Sequence, residues 1–333
     1  MKNPPPDANI TVAMVSSALP PSGRQLELRF GDQRAVVVEV GAGLRSYSVD
    51  GRELLDGYGP DGMASAGRGQ VLMPWPNRIA DGRYAFGGAT HQVPLNEPEE
   101  RNAIHGLVRW APWRIVDDGE PDRIALEYTL HPQPGYPFSL ALRLEYSLSA
   151  AGLRVASTAT NVGSSACPFG SGAHPYLTLG TETVDPVELK APWETVLLVD
   201  ARGIPVGAEP VAGTEYDFRE PRPIGATRLD HAFTDLERGG DGLARVQLRH
   251  DHRRLTLWLG ESYRYVQLFT GDAVPGVNRR SLAVEPMTCA PNAFCSGDGL
   301  LVLEPGESAA AAWGIQLTND PDATTTVRAE MCA

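Results

Sequence analysis

Apolar and polar residues alternate with a period of two through most of this chain, a pattern typical of half-buried β-strands. The clearest run presents large apolar side chains on one face, at Leu140, Leu142, Leu144, Tyr146 and Leu148. The same period predicts further strands over residues 24–30, 36–40, 44–49, 124–130, 153–161, 246–248, 255–259 and 264–270. No stretch of ten or more residues shows the period of an amphipathic helix. The chain is therefore predicted to be an all-β protein.

Both ends of the strand-rich region carry a specific expectation. In the first strand, Leu26, Leu28 and Phe30 alternate with polar residues and are expected to face the core. Near the other end, residues 299–303 and 309–317 are expected to pair with each other through a turn at a Pro-Gly pair.

Turn-forming residues are abundant, with 35 glycines and 28 prolines among 333 residues, against a typical combined share of about 12%. Short strands joined by such turns predict a large antiparallel β-sandwich. We expect a single domain over residues 23–320, with a flexible N-terminal arm at 1–22 and a C-terminal tail at 321–333. The pattern does not predict the strand order.

Charge and cysteine content narrow the class of protein. The formal net charge of −12 disfavours nucleic acid and anionic membranes as partners. The four cysteines form no paired motif, which predicts reduced thiols in a cytoplasmic protein. The apolar run at 10–19 is too short for a membrane span and lacks the basic start of a signal peptide. A monomer and a homodimer both fit these data.

The stretch from residue 69 to 110 holds two candidate binding residues. Arg78 lies in the motif PWPNRI, and His105 precedes Gly106. The turn signals Asp81-Gly82 and Gly87-Gly88 predict a hairpin between them. An Arg donor fork can hold an oxygen, and His can exchange a proton near neutral pH. The structural alternatives are a surface salt bridge for Arg78 and a hydrogen-bonded loop position for His105.

Three further motifs place ionisable residues beside predicted turns or strand ends. His174 follows the small residues GSGA and precedes a proline, which favours extended backbone and leaves room for a ligand. Asp230 lies in RLDHAF at a predicted strand end, where a carboxylate can accept hydrogen bonds from two neighbouring hydroxyls. Glu285 closes an apolar run that Pro286 is expected to end, so a partly desolvated Glu285 would be a base at the end of a sheet.

Each of these three residues also has a purely structural interpretation. His174 could satisfy a loop carbonyl, and Asp230 could form an Asx turn or a cap. Glu285 could point to water from an edge strand. The residue types alone do not decide between the two interpretations.

Together the motifs resemble those of the aldose 1-epimerase (galactose mutarotase) family. The similar segments are PWPNRI with Asn77-Arg78, NAIHG with His105-Gly106, His174-Pro175, TEYDFR at 214–219, DHAF from Asp230, Gln267 with FTG at 269–271, Glu285-Pro286 and PNA at 291–293. They follow the family's order over about residues 30 to 318. The resemblance implies a galactose mutarotase-like supersandwich that interconverts the α and β anomers of a hexose.

The resemblance also implies roles for individual residues. Glu285 would be the catalytic base and His174 the catalytic acid, ionised and protonated respectively at neutral pH, on two sides of a gap sized for a pyranose. Arg78, His105 and Asp230 would bind sugar oxygens and orient the ring. Four more residues are expected to line the pocket: Asn77, Trp75, Tyr176 and Gln267. Trp75 would present an aromatic face to the sugar. No metal or other cofactor is expected, and the sequence shows no ligand set for one.

Three alternatives remain open. The segments PWPNRI and HGLVRW depart from the galactose-type pattern. The chain therefore resembles a divergent branch of the family that acts on other aldoses, including sulfonated or phosphorylated ones. Arg101, Arg109 or Arg279-Arg280 would then bind the anionic group. A non-catalytic carbohydrate-binding module would use the same groove without needing both an acid and a base. A glycoside hydrolase or lyase would use two carboxylates, such as Asp230 and Glu285.

Overall fold

The computed structural model describes residues 19–117 and 119–319, whose regular secondary structure is almost entirely β-strand. The elements up to residue 161 are β1 Gln25–Phe30, β2 Gln33–Val38, β3 Leu44–Val49, β4 Arg52–Glu53, β5 Val71–Leu72, β6 Arg78–Ala80, β7 Arg83–Phe86, β8 Ala89–Gln92, β9 Asn102–Ile104, β10 Arg114–Asp117, β11 Arg123–Leu130, β12 Leu140–Ser149 and β13 Gly152–Asn161. The later elements are β14 Cys167–Phe169, β15 Gly172–Ala173, β16 Tyr176–Leu177, β17 Glu188–Lys190, β18 Trp193–Val199, β19 Pro205–Pro210, β20 Arg222–Pro223, β21 Asp230–Leu236, β22 Ala244–His250, β23 Arg253–Leu259, β24 Tyr265–Phe269, β25 Leu282–Met287, α1 Ala293–Ser296, β26 Leu301–Leu303 and β27 Ser308–Asn319. The predicted all-β class is confirmed.

The predicted arm and tail fall largely outside this part of the chain. Residues 1–18 of the arm (1–22) and the whole of the tail (321–333) lie outside the described residues. The division into an arm, one domain and a tail therefore stays a prediction. No helix within residues 19–117 and 119–319 is long and apolar enough to cross a membrane.

Two large sheets form the body of the fold. One has nine strands in the order β10-β11-β12-β13-β27-β23-β22-β17-β20. The other, the eight-stranded sheet, follows β19-β18-β21-β24-β25-β15-β5, with β16 also paired to β25. A four-stranded sheet, β1-β2-β3-β4, and the pairs β6-β9, β7-β8 and β14-β26 complete the described strands. Antiparallel pairing of β27 with both β13 and β23 brings together segments far apart in the chain.

One hydrophobic cluster joins the two large sheets. Leu142 and Leu144 of β12 belong to it, as do Val266 and Leu268 of β24, and all four are at most 2% exposed. Burying a side chain of this size contributes about 1.5–3 kcal/mol. The alternation in the sequence therefore decides which face of each strand packs inward, and the predicted antiparallel β-sandwich is confirmed.

The predicted hairpin between Arg78 and His105 is confirmed. Strands β7 and β8 pair from Arg83↔Gln92 to Phe86↔Ala89, so the loop is the two residues Gly87-Gly88. Both glycines have positive φ, 60° and 79°, which matches the turn geometry that two-residue hairpins require.

Two local predictions are wrong. Phe30 does not face the core, because it ends β1 and is 38% exposed beside a turn. Strands β26 and β27 do not pair with each other: β26 pairs with β14, whereas β27 lies between β13 and β23. Periodicity identified these strands, but partner choice depends on contacts between distant parts of the chain.

Candidate active site

Three polar residues share one face of the eight-stranded sheet. Glu285 of β25 is opposite Gln267 of β24, which is opposite Ala232 of β21, and Asp230 lies two residues before Ala232. Directly paired residues, and residues two apart on a strand, point to the same face. The preceding residue on β25, Val284, lies in the main core cluster. The polar row therefore occupies the face that points away from that core.

Glu285 lies inside β25 and not at its end. The sequence predicted that Pro286 ends the strand, but β25 continues to Met287, and Pro286 is paired with Val266. On its other side β25 meets two short strands, which pair with it at Met287 and at Ala283. The position between these two pairings needs no backbone donor, so a proline is tolerated there.

The backbone of His174 is held against the segment 67–70. The N–H of His174 donates to the carbonyl of Gln70 at 3.0 Å, and its carbonyl accepts from the N–H of Gly69 at 2.9 Å. The preceding strand, β15, lies between β5 and β25. The small residues before His174 thus allow β15 to pack closely between β5 and β25. This pairing places the imidazole beside the strand that carries Glu285.

The structure brings the two predicted catalytic side chains into contact. Nε2 of His174 lies 3.3 Å from Oε1 of Glu285, and the two side chains are 5% and 3% exposed. Their other polar atoms, Nδ1 of His174 and Oε2 of Glu285, have no hydrogen-bond partner among the described residues. The prediction of a pyranose-sized gap between them is wrong, because 3.3 Å leaves no room for a ring. The two groups instead lie side by side.

Burial moves the pKa values of both residues toward their neutral forms. Desolvation raises the pKa of Glu285 well above its usual 4.5; the charge of Asp230 adds to the rise and that of Arg78 opposes it. Desolvation lowers the pKa of His174 from 6.5 to about 3, and the charge of Arg109 contributes. Both shifts favour the uncharged forms of the two residues, with the exchangeable proton on Glu285. These directions run against the expectation of an ionised Glu285 beside a protonated His174 in the free protein.

His105 and Asn77 fix each other. The N–H of Asn77 donates to Nδ1 of His105 at 3.2 Å, and the N–H of His105 donates to the carbonyl of Asn77 at 2.9 Å. Burial, followed by the charges of His174, Arg109 and Arg78, lowers the pKa of His105 well below 6.5, so the ring is neutral. A neutral ring that accepts at Nδ1 carries its proton on Nε2, which makes Nε2 a donor.

Arg78 is held by a carboxylate on the loop before β9. Its Nε and Nη2 donate to the two oxygens of Glu97 at 2.8 and 2.9 Å, and Asn102 donates to the same carboxylate. This two-point pairing fixes the guanidinium plane. The backbone of Gly203 lies against Nη1, where a Cβ would come within 2.4 Å. Arg78 therefore forms an ion pair, as its structural interpretation expected. Its charge also interacts with the charges of Glu285 and Asp230.

Asp230 and Gln267 form the outer part of the polar row. Asp230 is exposed and begins β21, so the predicted strand-end position is confirmed. Nε2 of the buried Gln267 donates to Oδ1 of Asp230 at 2.7 Å. The carboxylate is oriented by this bond and keeps acceptor capacity for a ligand.

Two aromatic residues expected to line the pocket are buried instead. Trp75 is 2% exposed, belongs to the main core cluster and packs edge-on against Phe294, so the predicted aromatic face for a sugar is wrong. Tyr176 is 1% exposed, and its ring stacks on His174 with centroids 4.9 Å apart. Both rings pack into the interior although they lie next to polar motifs in the sequence. Burying their large apolar area is more favourable than exposing it to water.

Four residues of the site gave no clear signal in the sequence. Gly67, Arg68 and Gln70 lie in an irregular segment with no period, and Glu97 lies in an acidic loop that reads as solvated. The clustered glycines of SAGRGQ were the available hint, since a glycine is required where another group approaches the backbone closely.

The structure also assembles a set of metal-ligating atoms that the sequence did not reveal. His105, His174 and Glu285 each offer one ligand atom, and these atoms lie within 4.8 Å of one another. However, Nδ1 of His105 already accepts from Asn77, so the other ring nitrogen carries a proton. A protonated nitrogen donates a hydrogen bond and does not ligate a metal. This arrangement suits the oxygens of a ligand better than a cation.

Solved structures share this fold. The GalM/aldose epimerase homologue from C. elegans matches with a TM-score of 0.79 at 18% sequence identity, covering 89% of this chain and 99% of that chain. The predicted galactose mutarotase-like fold is confirmed.

The sequence comparisons give the family. A family model described as aldose 1-epimerase matches residues 24–316, so the chain belongs to the aldose 1-epimerase family. It is 38% identical over 287 residues to the uncharacterized protein YihR of Escherichia coli (strain K12), covering 86% of this chain and 91% of that protein. It is 31% identical over 191 residues to the aldose 1-epimerase of the same organism, covering 52% of this chain and 54% of that protein.

Proposed function

We propose that this protein is an aldose 1-epimerase that interconverts the α and β anomers of a hexose by acid- and base-assisted ring opening. The observation that carries the proposal is the contact of 3.3 Å between Nε2 of His174 and Oε1 of Glu285. The two oxygens that must exchange protons, the C1 hydroxyl and the ring oxygen, are bonded to the same carbon. A touching acid and base can serve such a pair together.

The proton balance of the reaction closes within the pair. One proton passes from Glu285 to His174 and gives the charge-separated form, which the charge of Arg78 favours at Glu285. Glu285 then takes the proton of the C1 hydroxyl while His174 gives one to the ring oxygen, and the C1–ring oxygen bond breaks. The products are an aldehyde and a free hydroxyl. Rotation about the C1–C2 bond and the reverse transfers close the ring on the other face.

The surrounding residues fit the binding of a polyhydroxylated ligand. His105 supplies a neutral donor at Nε2, and Arg78 supplies an oriented cation beside the pair. Asp230 supplies an acceptor at the exposed end of the polar row. Donors and acceptors that are already fixed lose little entropy when the sugar binds.

Anomer exchange measured by NMR on glucose and galactose tests the proposal. We expect Glu285→Gln and His174→Asn each to lower the rate by about 10²–10⁴-fold, the usual range for loss of a general acid or base. His131→Asn, at an exposed position, is the control and should match wild type. Rates equal to wild type in both site variants would overturn the assignment. Binding without rate enhancement would favour the carbohydrate-binding alternative, and release of reducing ends from a disaccharide would favour a hydrolase.

One observation favours a sugar that carries an anionic group. Four arginines are candidates for binding such a group, and three of them already pair with carboxylates. Arg101 pairs with Asp81, Arg279 with Asp185 and Asp272, and Arg280 with Asp56. Arg109 has no carboxylate within salt-bridge distance among residues 19–117 and 119–319. Its Nη1 donates instead to the amide oxygen of Gln70 at 3.1 Å.

Arg109 also lies close enough to lower the pKa of both site histidines. A half-buried cation without a counter-charge is suited to a sulfonate or phosphate. The alternative substrate is therefore an aldose with such a group.

Steady-state kinetics with neutral and anionic forms of one aldose distinguish these substrates. Arg109→Gln should lower kcat/KM for the anionic sugar by about tenfold or more and change the neutral sugar little, since bonds to charged groups contribute about 1.5–3 kcal/mol. Arg101→Gln, which removes an exposed and paired cation, is the matched control. An equal effect of Arg109→Gln on both sugars would contradict the anionic assignment.

A further inference from the structure

His174 lacks the hydrogen-bonded partner that usually orients a catalytic imidazole. Such a ring normally donates its second N–H to a carboxylate or carbonyl, which fixes both its tautomer and its plane. Here Nδ1 of His174 is buried and has no partner among the described residues. Something else must hold the plane of the ring that meets Glu285.

Tyr176 packs flat against the imidazole. The two rings are 15° from parallel with centroids 4.9 Å apart. Tyr176 is itself anchored, because its hydroxyl donates to the carbonyl of Ala66 at 2.7 Å. The guanidinium carbon of Arg68 lies 5.0 Å from the centre of the tyrosine ring. The ring of Tyr176 therefore contacts both the guanidinium of Arg68 and the imidazole that meets Glu285.

Gly67 closes another side of the imidazole. Its φ is +78°, and a Cβ on this residue would lie 2.5 Å from Cδ2 of His174 and 2.9 Å from Nε2. Such distances are not tolerated by real side chains. Backbone therefore touches the ring where any other residue would push it away from Glu285.

Arg68 is fixed by partners from two other parts of the chain. It is 4% exposed and pairs with Asp56 at 3.0 Å, and it donates to the carbonyls of Asp56 and Gly276 at 3.1 and 2.8 Å. An aromatic face receives a fixed cation favourably when water is excluded. Arg68 and Tyr176 are therefore both held by bonds within the protein.

We propose that Tyr176 and Gly67 are positioning residues that set the plane of His174 by ring stacking and by close backbone contact. This proposal rests on the proposed role of His174 in proton transfer. It assigns Tyr176 to a place behind the imidazole, in contrast to the substrate contact expected from the sequence. A misplaced imidazole loses the 3.3 Å contact with Glu285 and with it the turnover rate.

Anomer-exchange kinetics of tyrosine variants test the stacking contact. Tyr176→Leu is expected to lower kcat by about tenfold to a hundredfold, the scale of a misplacement near 1 Å, with KM changed less than about twofold because the sugar is not touched. Tyr176→Phe keeps the ring and should stay within about threefold of wild type. Tyr136→Leu is the control for loss of a fully buried tyrosine whose hydroxyl also donates to a backbone carbonyl, that of Pro168.

A glycine pair tests the close contact separately. Gly67→Ala should lower kcat by at least about tenfold. Gly180→Ala is its matched control, because Gly180 has nearly the same φ, +80°, but nothing within 4 Å of the added Cβ. The control carries the same backbone strain without displacing the imidazole, so its kcat should remain near wild type.

The imidazole ¹⁵N signals of His174 give a readout that does not depend on activity. Tyr176→Leu and Gly67→Ala should shift or broaden them, whereas Tyr176→Phe, Tyr136→Leu and Gly180→Ala should not. A folded Tyr176→Leu protein with unchanged His174 signals, or with a change in KM alone, would overturn the proposal. If wild-type protein turned over no aldose, the proposed function would fail, while the ¹⁵N signals would still decide whether Tyr176 and Gly67 position the ring.

Discussion

At the residue scale, the contact between His174 and Glu285 governs how the site responds to pH. Their pKa values are displaced in opposite directions by burial, so one proton stays with the pair across a wide range. The charge-separated and neutral forms of the pair hold the same number of protons. They differ only in which residue carries the exchangeable proton. Their ratio is therefore independent of pH while the pair holds one proton.

The first prediction is a flat pH–rate profile through the range where a free histidine titrates. The second proton binds His174 only near its lowered pKa of about 3, and the single proton leaves only above the raised pKa of Glu285. We expect kcat/KM for anomer exchange to be constant between about pH 5 and about pH 7. A sigmoidal change centred near the ordinary histidine pKa would contradict the shared proton.

The second prediction concerns stability. Because the folded pKa of Glu285 is raised, the unfolded carboxyl ionises above its usual 4.5 while the folded one does not, so stability falls as pH rises through this window. Glu285→Gln cannot ionise and should be more stable than wild type at about pH 8 by about 1 kcal/mol or more. At about pH 4 the two should be equal.

Urea unfolding at both pH values measures this difference. Glu220→Gln, at an exposed position, is the control and should not change the pH dependence. A Glu285→Gln protein that loses stability equally at both pH values would show that the carboxyl is not buried in neutral form.

At the scale of elements, short strands and loops bring the binding residues together. Strands β6 and β9 pair through Arg78↔Ile104, which sets Arg78 beside the loop that carries Glu97. Sequence periodicity identified the long strands, because each buries one face, and the Gly-Gly turn identified the β7–β8 hairpin. Periodicity did not identify Glu97 as the partner of Arg78, because a charged loop has no period. The contacts of that loop depend on the pairing of β6 with β9.

The third prediction tests this pairing. Glu97→Gln keeps the shape of the side chain but weakens both bonds to Arg78, which frees the guanidinium plane. We expect KM for the sugar to rise about threefold to tenfold with kcat changed less, as for a residue that orients a binding group. Asp117→Asn, which removes an exposed ion pair with Arg123, should leave both constants unchanged. A wild-type KM in Glu97→Gln would show that Arg78 needs no orientation.

At the scale of the whole molecule, one buried carboxylate connects segments far apart in the chain. Asp56 pairs with Arg68 and Arg280 and accepts from the hydroxyl of Ser281, and its side chain is 10% exposed. Ser281 directly precedes β25, the strand of Glu285. The segment that carries Arg68 and the strand that carries Glu285 are thus connected through Asp56.

The fourth prediction follows from this connection. Asp56→Asn leaves the buried cation of Arg68 without its counter-charge and should cost about 3–5 kcal/mol of stability. Thermal or urea unfolding measures this, with Asp117→Asn as an exposed-pair control expected to change stability by at most about 1 kcal/mol. A loss no larger than that of the control would contradict the connecting role.

Sequence reasoning predicted the fold class and named residues that the structure brings together, but it did not predict how those residues meet. Turn density and period-two alternation suffice for an antiparallel β-sandwich, and motif order suffices to collect His174, Glu285 and Asp230. The direct contact of His174 with Glu285, their opposite pKa displacements and the burial of Trp75 all arise from packing of non-local strands. These properties depend on β15 lying between β5 and β25, and no local pattern encodes that order.

The shared proton has a consequence for direction. In the proposed reaction, each transfer runs backward when the sugar ring recloses, and the protein regains its starting state whichever face of the anomeric carbon was attacked. Such a molecule favours neither product and consumes nothing from its surroundings. It shortens the time to an equilibrium that the sugar alone determines, so what a cell gains from it is speed.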